Sequence, residues 1–308
     1  MSQSKNIPEK VTVIGLGLMG ATLARLLINQ GYSVTVWNRT AEKSEQLVRE
    51  GAILASSAAE AISASPFVVV CVYDYKATNE ILNSEEAVSA LNGKTIIQLT
   101  TGSPQEARET EIWAREQGAD YVDGAILAAP NQMGKPDTII LVSGAEKAFQ
   151  KSEKVLKILG GKITNLGGEI GSASAMDLAI LSYTYGAALG FFHGARISES
   201  ENIPVDSFGA LVADFSPTIG EFLKYESNVI RKEDYTASES PIRISVEAVE
   251  RILQTAQESG INTEFPIFAA GIFRQAKAAG YENEELAALI KVFRRQANAE
   301  TVKGGKNA

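Results

Sequence analysis

Between Gly171 and Arg196 the chain carries one charged side chain, Asp177, in the apolar run Ala175-Met176-Asp177-Leu178-Ala179-Ile180-Leu181. A carboxyl isolated on an apolar helix either holds its proton to an unusually high pH or finds a cationic partner. Both conditions are found where protons are transferred or cations are bound. The plainer alternative is an Asp near a helix start, favoured there by the dipole. Tyr185 stands two turns further along and about 80° round the helix. The two side chains can therefore border one cleft with a small substrate between them; Tyr185 is equally well placed to be a core residue. His193, the single histidine, lies beside Gly186, Gly190 and Gly194, whose four-residue spacing makes a smooth face that another helix can approach closely. That face reads as a packing seam, of a kind that also joins subunits, and His193 as a core or interface residue rather than a catalytic one. One histidine and one cysteine, Cys71, exclude the common zinc constellations, which need three or four N/S ligands. No metal site is expected, and no G-x-S-x-G elbow surrounds a serine.

A second constellation lies near the start of the chain. Gly15-Leu16-Gly17-Leu18-Met19-Gly20 follows an apolar strand and opens a helix, the context that gives G-x-G-x-x-G its meaning. Gly15 permits the tight turn, Gly17 lets the backbone approach a pyrophosphate, and Gly20 lets the helix pack on the strand. The amides of the helix N-terminus then face the anion. At the end of the next strand, where an acid would bind a ribose 2′-hydroxyl, the chain reads Trp37-Asn38-Arg39-Thr40 with Lys43 following. A carboxylate would repel a 2′-phosphate. Arg39 can pair with one through its planar fork, Asn38 and Thr40 can donate hydrogen bonds, and Lys43 adds charge. The expected cofactor is NADPH rather than NADH.

These residues need a scaffold, and the pattern supplies an α/β one. Strands are predicted at 10–14, 33–37, 67–72, 95–99 and 138–142, with a helix over 19–30 after the glycines. Short apolar runs alternating with helices argue for a doubly wound, mostly parallel sheet covered on both faces. From Gly171 to Glu201 no proline occurs and β-branched residues are few, so a helix of about 45 Å is predicted as a spine. Helical patterns follow near 205–228, 240–259, 265–280 and 283–299, making the last part all-α. The division expected is a dinucleotide-binding domain over 1–167, a spine helix over 168–202 and a helical domain over 203–308, with the tail from Lys303 frayed. The apolar run from Ala173 to Ala195 is long, but its central charge is costly in lipid, so a buried helix of a soluble protein is expected and no membrane partner. The 308 residues carry 21 % charged and 45 % hydrophobic side chains and a net charge of -8. With no basic stripe, nucleic acid is not an expected partner. The lone cysteine and the polar start, Met1 to Lys10, point to a cytoplasmic protein.

Together with Leu99-Thr100-Thr101-Gly102, Asp123-Gly124-Ala125-Ile126-Leu127 and the segment from Gly171 to Tyr185, these motifs make the chain resemble the NADPH-dependent imine reductases of the β-hydroxyacid dehydrogenase superfamily over nearly its whole length. In that superfamily the spine helix opens with a G-x-G-x-x-x-K pattern, whose Lys serves acid–base chemistry on an alcohol or ketone. Here Gly171-Ser172-Ala173-Ser174-Ala175-Met176-Asp177 puts Asp177 at the lysine position, and Leu181 replaces an Asn four residues later. Leu127 replaces the Ser with which hydroxyacid dehydrogenases hold a substrate carboxylate.

The resemblance implies reduction of C=N in small cyclic imines. Asp177 would either stabilise the iminium as an anion or donate a proton to it, and Tyr185 would polarise or relay. It places Thr100 and Thr101 on the cofactor and Leu127 and Leu181 in the substrate pocket. Thr101 falls where members that also condense ketone with amine carry Asn, so reductive amination is at most a side activity. The resemblance also implies a domain-swapped homodimer, with Phe215, Thr218 and Ile219 of one chain completing the pocket of the other. Two other readings stay open: a 3-hydroxyacid or semialdehyde dehydrogenase of the same superfamily, and a catalytically silent NADPH-binding sensor.

Overall fold

The structure is a computed structural model that describes residues 9–294. The chain divides into two compact units inside one helix, between Tyr183 and Thr184. The first holds an eight-stranded sheet of order β3-β2-β1-β4-β5-β6-β7-β8. Its elements run β1 (Lys10–Ile14), α1 (Leu18–Asn29), β2 (Ser33–Trp37), α2 (Glu45–Arg49), β3 (Ile53–Leu54), α3 (Ala58–Ala64), β4 (Phe67–Val70), α4 (Tyr75–Leu82), α5 (Glu85–Ala90), β5 (Thr95–Gln98), α6 (Pro104–Glu116), β6 (Asp120–Ile126), β7 (Ile139–Gly144), α7 (Glu146–Leu159) and β8 (Lys162–Asn165). Every neighbouring pair is parallel except β6 and β7. The mostly parallel sheet follows from its sequence. Val11, Val13, Val68, Val69, Ile96 and Ile97 are fully buried, because helices cover both faces and β-branched side chains fit between them. Leu23 and Leu27 of α1 pack on one face with Leu156 and Leu159 of α7. Ile62 of α3, Leu82 of α4 and Ala114 of α6 pack on the other.

Three strands have no counterpart among those predicted. β3 is two exposed residues at the sheet edge, and β8 is an edge strand of mixed polarity. β6 reads Asp120-Tyr121-Val122-Asp123-Gly124, whose acids mask its burial; Asp123 is nevertheless fully buried.

The predicted spine is α8 (Ser172–Ser200). Its first turn is held by β7, where Ser143 Oγ accepts the N–H of Ala173 at 3.0 Å and donates to the carbonyl of Ile170 at 2.6 Å. The helix is long and apolar enough to cross a membrane by length and composition, yet little of its apolar stretch is buried. That corrects the expectation of a buried helix: Tyr183, Tyr185, Leu189 and Phe192 all lie exposed.

The second unit continues with α9 (Val205–Lys232), α10 (Ile242–Glu258), α11 (Glu264–Ala278) and α12 (Ile290–Phe293). The pattern near 283–299 resolves into a 3-10 turn, Leu286–Leu289, and the short α12; its remainder and the tail from Lys303 lie outside the described residues. Val229, Ile242, Ala276 and Val292 form the core here. Glu285, fully buried, folds the loop between α9 and α10 by accepting the N–H groups of Ser238, Glu239 and Ser240. Two of the three seam glycines pack inside this unit: a Cβ on Gly194 would meet the Phe208 ring at 2.8 Å, and one on Gly190 the Phe265 ring at 3.6 Å, while one on Gly186 would meet nothing within 4 Å. His193 is buried against Phe265, with its Nε2 unpartnered among the described residues.

Candidate active site

The strand order reverses between β1 and β4, and a cleft of about 790 Å³ opens at the carboxyl ends of these strands, where open α/β sheets bind their ligands. Gly15, Leu16, Gly17, Leu18, Met19, Gly20, Asn38, Arg39, Thr40 and Lys43 all line it, the ten cofactor residues read from the first two βα turns. Gly15 has φ +94°, and a Cβ there would lie 2.2 Å from the carbonyl oxygen of Cys71. A Cβ on Gly20 would lie 2.0 Å from the carbonyl of Gly15. Gly17 differs, since a Cβ there would meet nothing within 4 Å. Its small size therefore serves whatever enters the cleft and not the fold. The first-turn amides of α1 face the same space, a site made for an anion.

Asn38 is engaged twice: its Oδ1 accepts the N–H of Leu16 at 2.9 Å and its Nδ2 donates to the carbonyl of Thr40 at 2.8 Å. It thereby fixes the glycine turn and the Arg39 turn to each other, while Arg39 and Lys43 line the cleft with no ion pair among the described residues. The two cations and the open face of Gly17 fit a nucleotide with a 2′-phosphate.

Further lining residues carry no spacing signal in the sequence. Trp37, Ser56, Ser57, Cys71, Val72, Tyr73 and Ser84 reach the cleft from strand ends and helix starts, and Glu80 from within α4. Tyr73 and Leu18 are exposed at 94 % and 85 %, unpacked apolar surface at the rim that a bound nucleotide would cover. Burial pushes the Cys71 thiol up to about 11. Thr100 and Thr101 are not among the lining residues. Thr100 stands behind the wall, its buried hydroxyl accepting the N–H of Val72 at 3.0 Å, and Thr101 is exposed.

Asp177 is 4 % exposed. No Lys, Arg or His pairs with it among the described residues, and burial raises its carboxyl above the ordinary range. Of the two sequence alternatives, the protonated or cation-seeking carboxyl is the one that burial favours. A turn earlier on α8, Ser174 Oγ donates to Asp123 Oδ2 at 2.5 Å, and Tyr75 donates to Asp123 Oδ1 at 2.5 Å. Desolvation pushes Asp123 up to about 6 against these bonds. Leu127 packs with Ala125, Leu141, Ala173 and Ile180, so an apolar cluster joins β6 and β7 to the first turns of α8; Leu181 is half-buried on the same helix. Tyr185, at 66 % exposure, is not a core residue of this chain. Phe215, Thr218 and Ile219 lie on α9 in the second unit, with Phe215 56 % exposed.

Comparison with known proteins places these features. Residues 10–168 match the family model described as the NAD binding domain of 6-phosphogluconate dehydrogenase. Residues 169–295 match the NADPH-dependent reductive aminase-like C-terminal domain. An NADPH-dependent reductive aminase of Aspergillus oryzae is 32 % identical over 290 residues, covering 93 % of this chain and 97 % of the relative. An imine reductase from Myxococcus stipitatus, solved in complex with NADP+, is 34 % identical with a TM-score of 0.88, covering 92 % of this chain and all of that one. A reductive aminase from Aspergillus terreus, solved with NADPH and ethyl levulinate, is 35 % identical with a TM-score of 0.88, over 94 % of this chain and all of that one. The cleft with its two cations, the carboxyl at position 177 and the matched C-terminal domain agree with one another: the chain belongs to the family of NADPH-dependent imine reductases and reductive aminases.

Proposed function

We propose that this protein reduces C=N bonds of small cyclic imines to amines with NADPH, and that reductive amination is a secondary activity. The observation that carries the reading is Asp177, a buried carboxyl with a raised pKa and no cationic partner among the described residues. Such a site favours a cation that can supply the missing countercharge, and an iminium is one. Arg39 and Lys43 hold the 2′-phosphate, and the α1 amides with Gly17 hold the pyrophosphate. Bound NADPH supplies the hydride. Asp177 meets the substrate nitrogen: ionised, it holds the protonated imine in place; protonated, it donates the proton that makes the imine an acceptor. Leu127 and Leu181 keep the surroundings apolar, which strengthens either interaction by excluding water. Tyr185 assists by polarising the same nitrogen.

The exposed apolar side chains Tyr185, Leu189, Phe192, Leu211 and Phe215 on α8 and α9 support a homodimer that exchanges these helices and brings Phe215, Thr218 and Ile219 to the partner's pocket. The single cysteine supports a reducing, cytoplasmic setting. The test is consumption of NADPH with 2-methyl-1-pyrroline, followed by nicotinamide absorbance, beside an NADH control and Asp177→Ala. Imine-dependent consumption that needs Asp177 supports the reading. Equal turnover by Asp177→Ala, or efficient oxidation of a 3-hydroxy acid with NADP+, would sink it. Light scattering of the purified protein reads the dimer, and a monomer would remove the exchange.

A further inference from the structure

The fully buried carboxyl of Asp123 lies at the meeting point of three elements. From α4, Tyr75 donates to its Oδ1; from the first turn of α8, Ser174 donates to its Oδ2. The Tyr75 ring also closes under the loop after β5, where a Cβ on Gly102 would lie 2.3 Å from two ring carbons. Tyr75 thus touches the loop that carries Thr101, and its helix contributes Ala77, Glu80 and Ile81 to the nucleotide cleft. Ser174 stands one helical turn before Asp177, on nearly the same face. Nothing in the folding of β6 calls for a carboxylate there, since an apolar side chain would sit in this buried strand at lower cost.

We propose that Asp123 is a positioning residue for Asp177: through Ser174 it fixes the first turn of α8, and through Tyr75 it ties that turn to the cofactor-lining helix. The proposal rests on the reading of Asp177 as the group that meets the substrate nitrogen. The groups that face Asp123 are Tyr75 from α4, Tyr121 from its own strand, and Ser174 and Asp177 from α8. Asp177 is the other carboxyl among them. The charge of Asp177 helps to raise Asp123, while burial raises Asp177, so the hydrogen bonds through Ser174 and Tyr75 are the link from Asp123 to Asp177.

The test is kcat for imine reduction, with KM for NADPH, in wild type, Asp123→Asn, Asp123→Ala and Asp177→Asn. In Asp123→Asn the amide still accepts from Tyr75 and can donate to Ser174, so the tether survives and kcat should stay within about threefold of wild type. Asp123→Ala loses the tether, and kcat should fall by about tenfold or more while KM for NADPH stays within about twofold. If Asp123→Ala does not fold, Ser174→Ala, which cuts the bond from α8 alone, decides in its place by the same fall in kcat. A folded Asp123→Ala or Ser174→Ala with wild-type kcat would overturn the proposal while leaving Asp177 in its role. Wild-type kcat in Asp177→Asn would overturn the reading of Asp177, and the proposal with it.

Discussion

The side-chain oxygen of Asn38 accepts the backbone N–H of Leu16 at 2.9 Å, so the turn that would meet the pyrophosphate is held by the turn that would meet the 2′-phosphate. Neighbouring residues on the second turn then have separable roles. Asn38→Ala loosens both turns and should weaken NADPH and NADH alike, by about tenfold in Kd. Arg39→Ala would remove the countercharge proposed for the 2′-phosphate, which only NADPH carries. It should weaken NADPH by tenfold or more, about 1.4 kcal/mol, and leave NADH nearly untouched. Calorimetric titration of both nucleotides on both variants checks the pair; equal losses in Arg39→Ala would take Arg39 away from the 2′-phosphate.

The open space beside Gly17 separates folding from binding. Gly17→Val places its side chain where no protein atom lies within 4 Å of the new Cβ, so thermal unfolding should shift by no more than about 2 °C. The same branch would occupy the path proposed for the pyrophosphate, and NADPH affinity should fall by about a hundredfold. Unchanged affinity would place the nucleotide elsewhere. Gly15→Ala is the contrasting case. At φ +94° and 2.2 Å from the Cys71 carbonyl, it should lower the melting temperature by several degrees before any nucleotide is added.

Asp177 is kept at a cost to stability. An unpaired carboxyl that is 4 % exposed pays desolvation with no ion pair among the described residues to offset it. Asp177→Leu should therefore raise the melting temperature, by about 1 kcal/mol in stability, while lowering kcat by about 10²-fold or more. A destabilised variant would mean that Asp177 has a structural partner in the folded chain.

Asp123 gives a pH signature. Its folded pKa of about 6 lies above the ordinary value of 3.8, so the folded state holds this proton more tightly than the unfolded chain. That contribution is full below about pH 4 and is lost as pH rises through about 6, up to roughly 3 kcal/mol. Unfolding by urea across this window should show Asp123→Asn gaining on wild type as pH rises. A constant difference would mean an unshifted carboxyl.

The nucleotide cleft was more legible in the sequence than the substrate side. Gly15, Gly17, Gly20 and Arg39 fall in one or two βα turns, where spacing along the chain is spacing in the fold. Tyr73, Ser56 and Glu80 line the same cleft from separate turns, and nothing local marks them. Asp177 stood out because an apolar helix makes a charge conspicuous; Asp123 did not, because β6 looks polar until Tyr75 and Ser174 are seen to satisfy it. Thr100, placed on the cofactor by resemblance, lies behind the cleft wall at Val72. Tyr185 was open to either a cleft or a core reading, and periodicity could not decide between them, since α8 is apolar on several sides and what covers it is not local in sequence.

Trp37 closes the second strand and lines the cleft, while Trp113, the other tryptophan of the chain, sits on α6 away from it. The molecule thus carries its own optical reporter. Ultraviolet light absorbed by the Trp37 indole would pass to a reduced nicotinamide nucleotide in the cleft, so indole emission should dim as the cleft fills, and Trp37→Phe should reduce that response. Occupancy of the cleft can be followed in the untagged protein, with no substrate present and no turnover required.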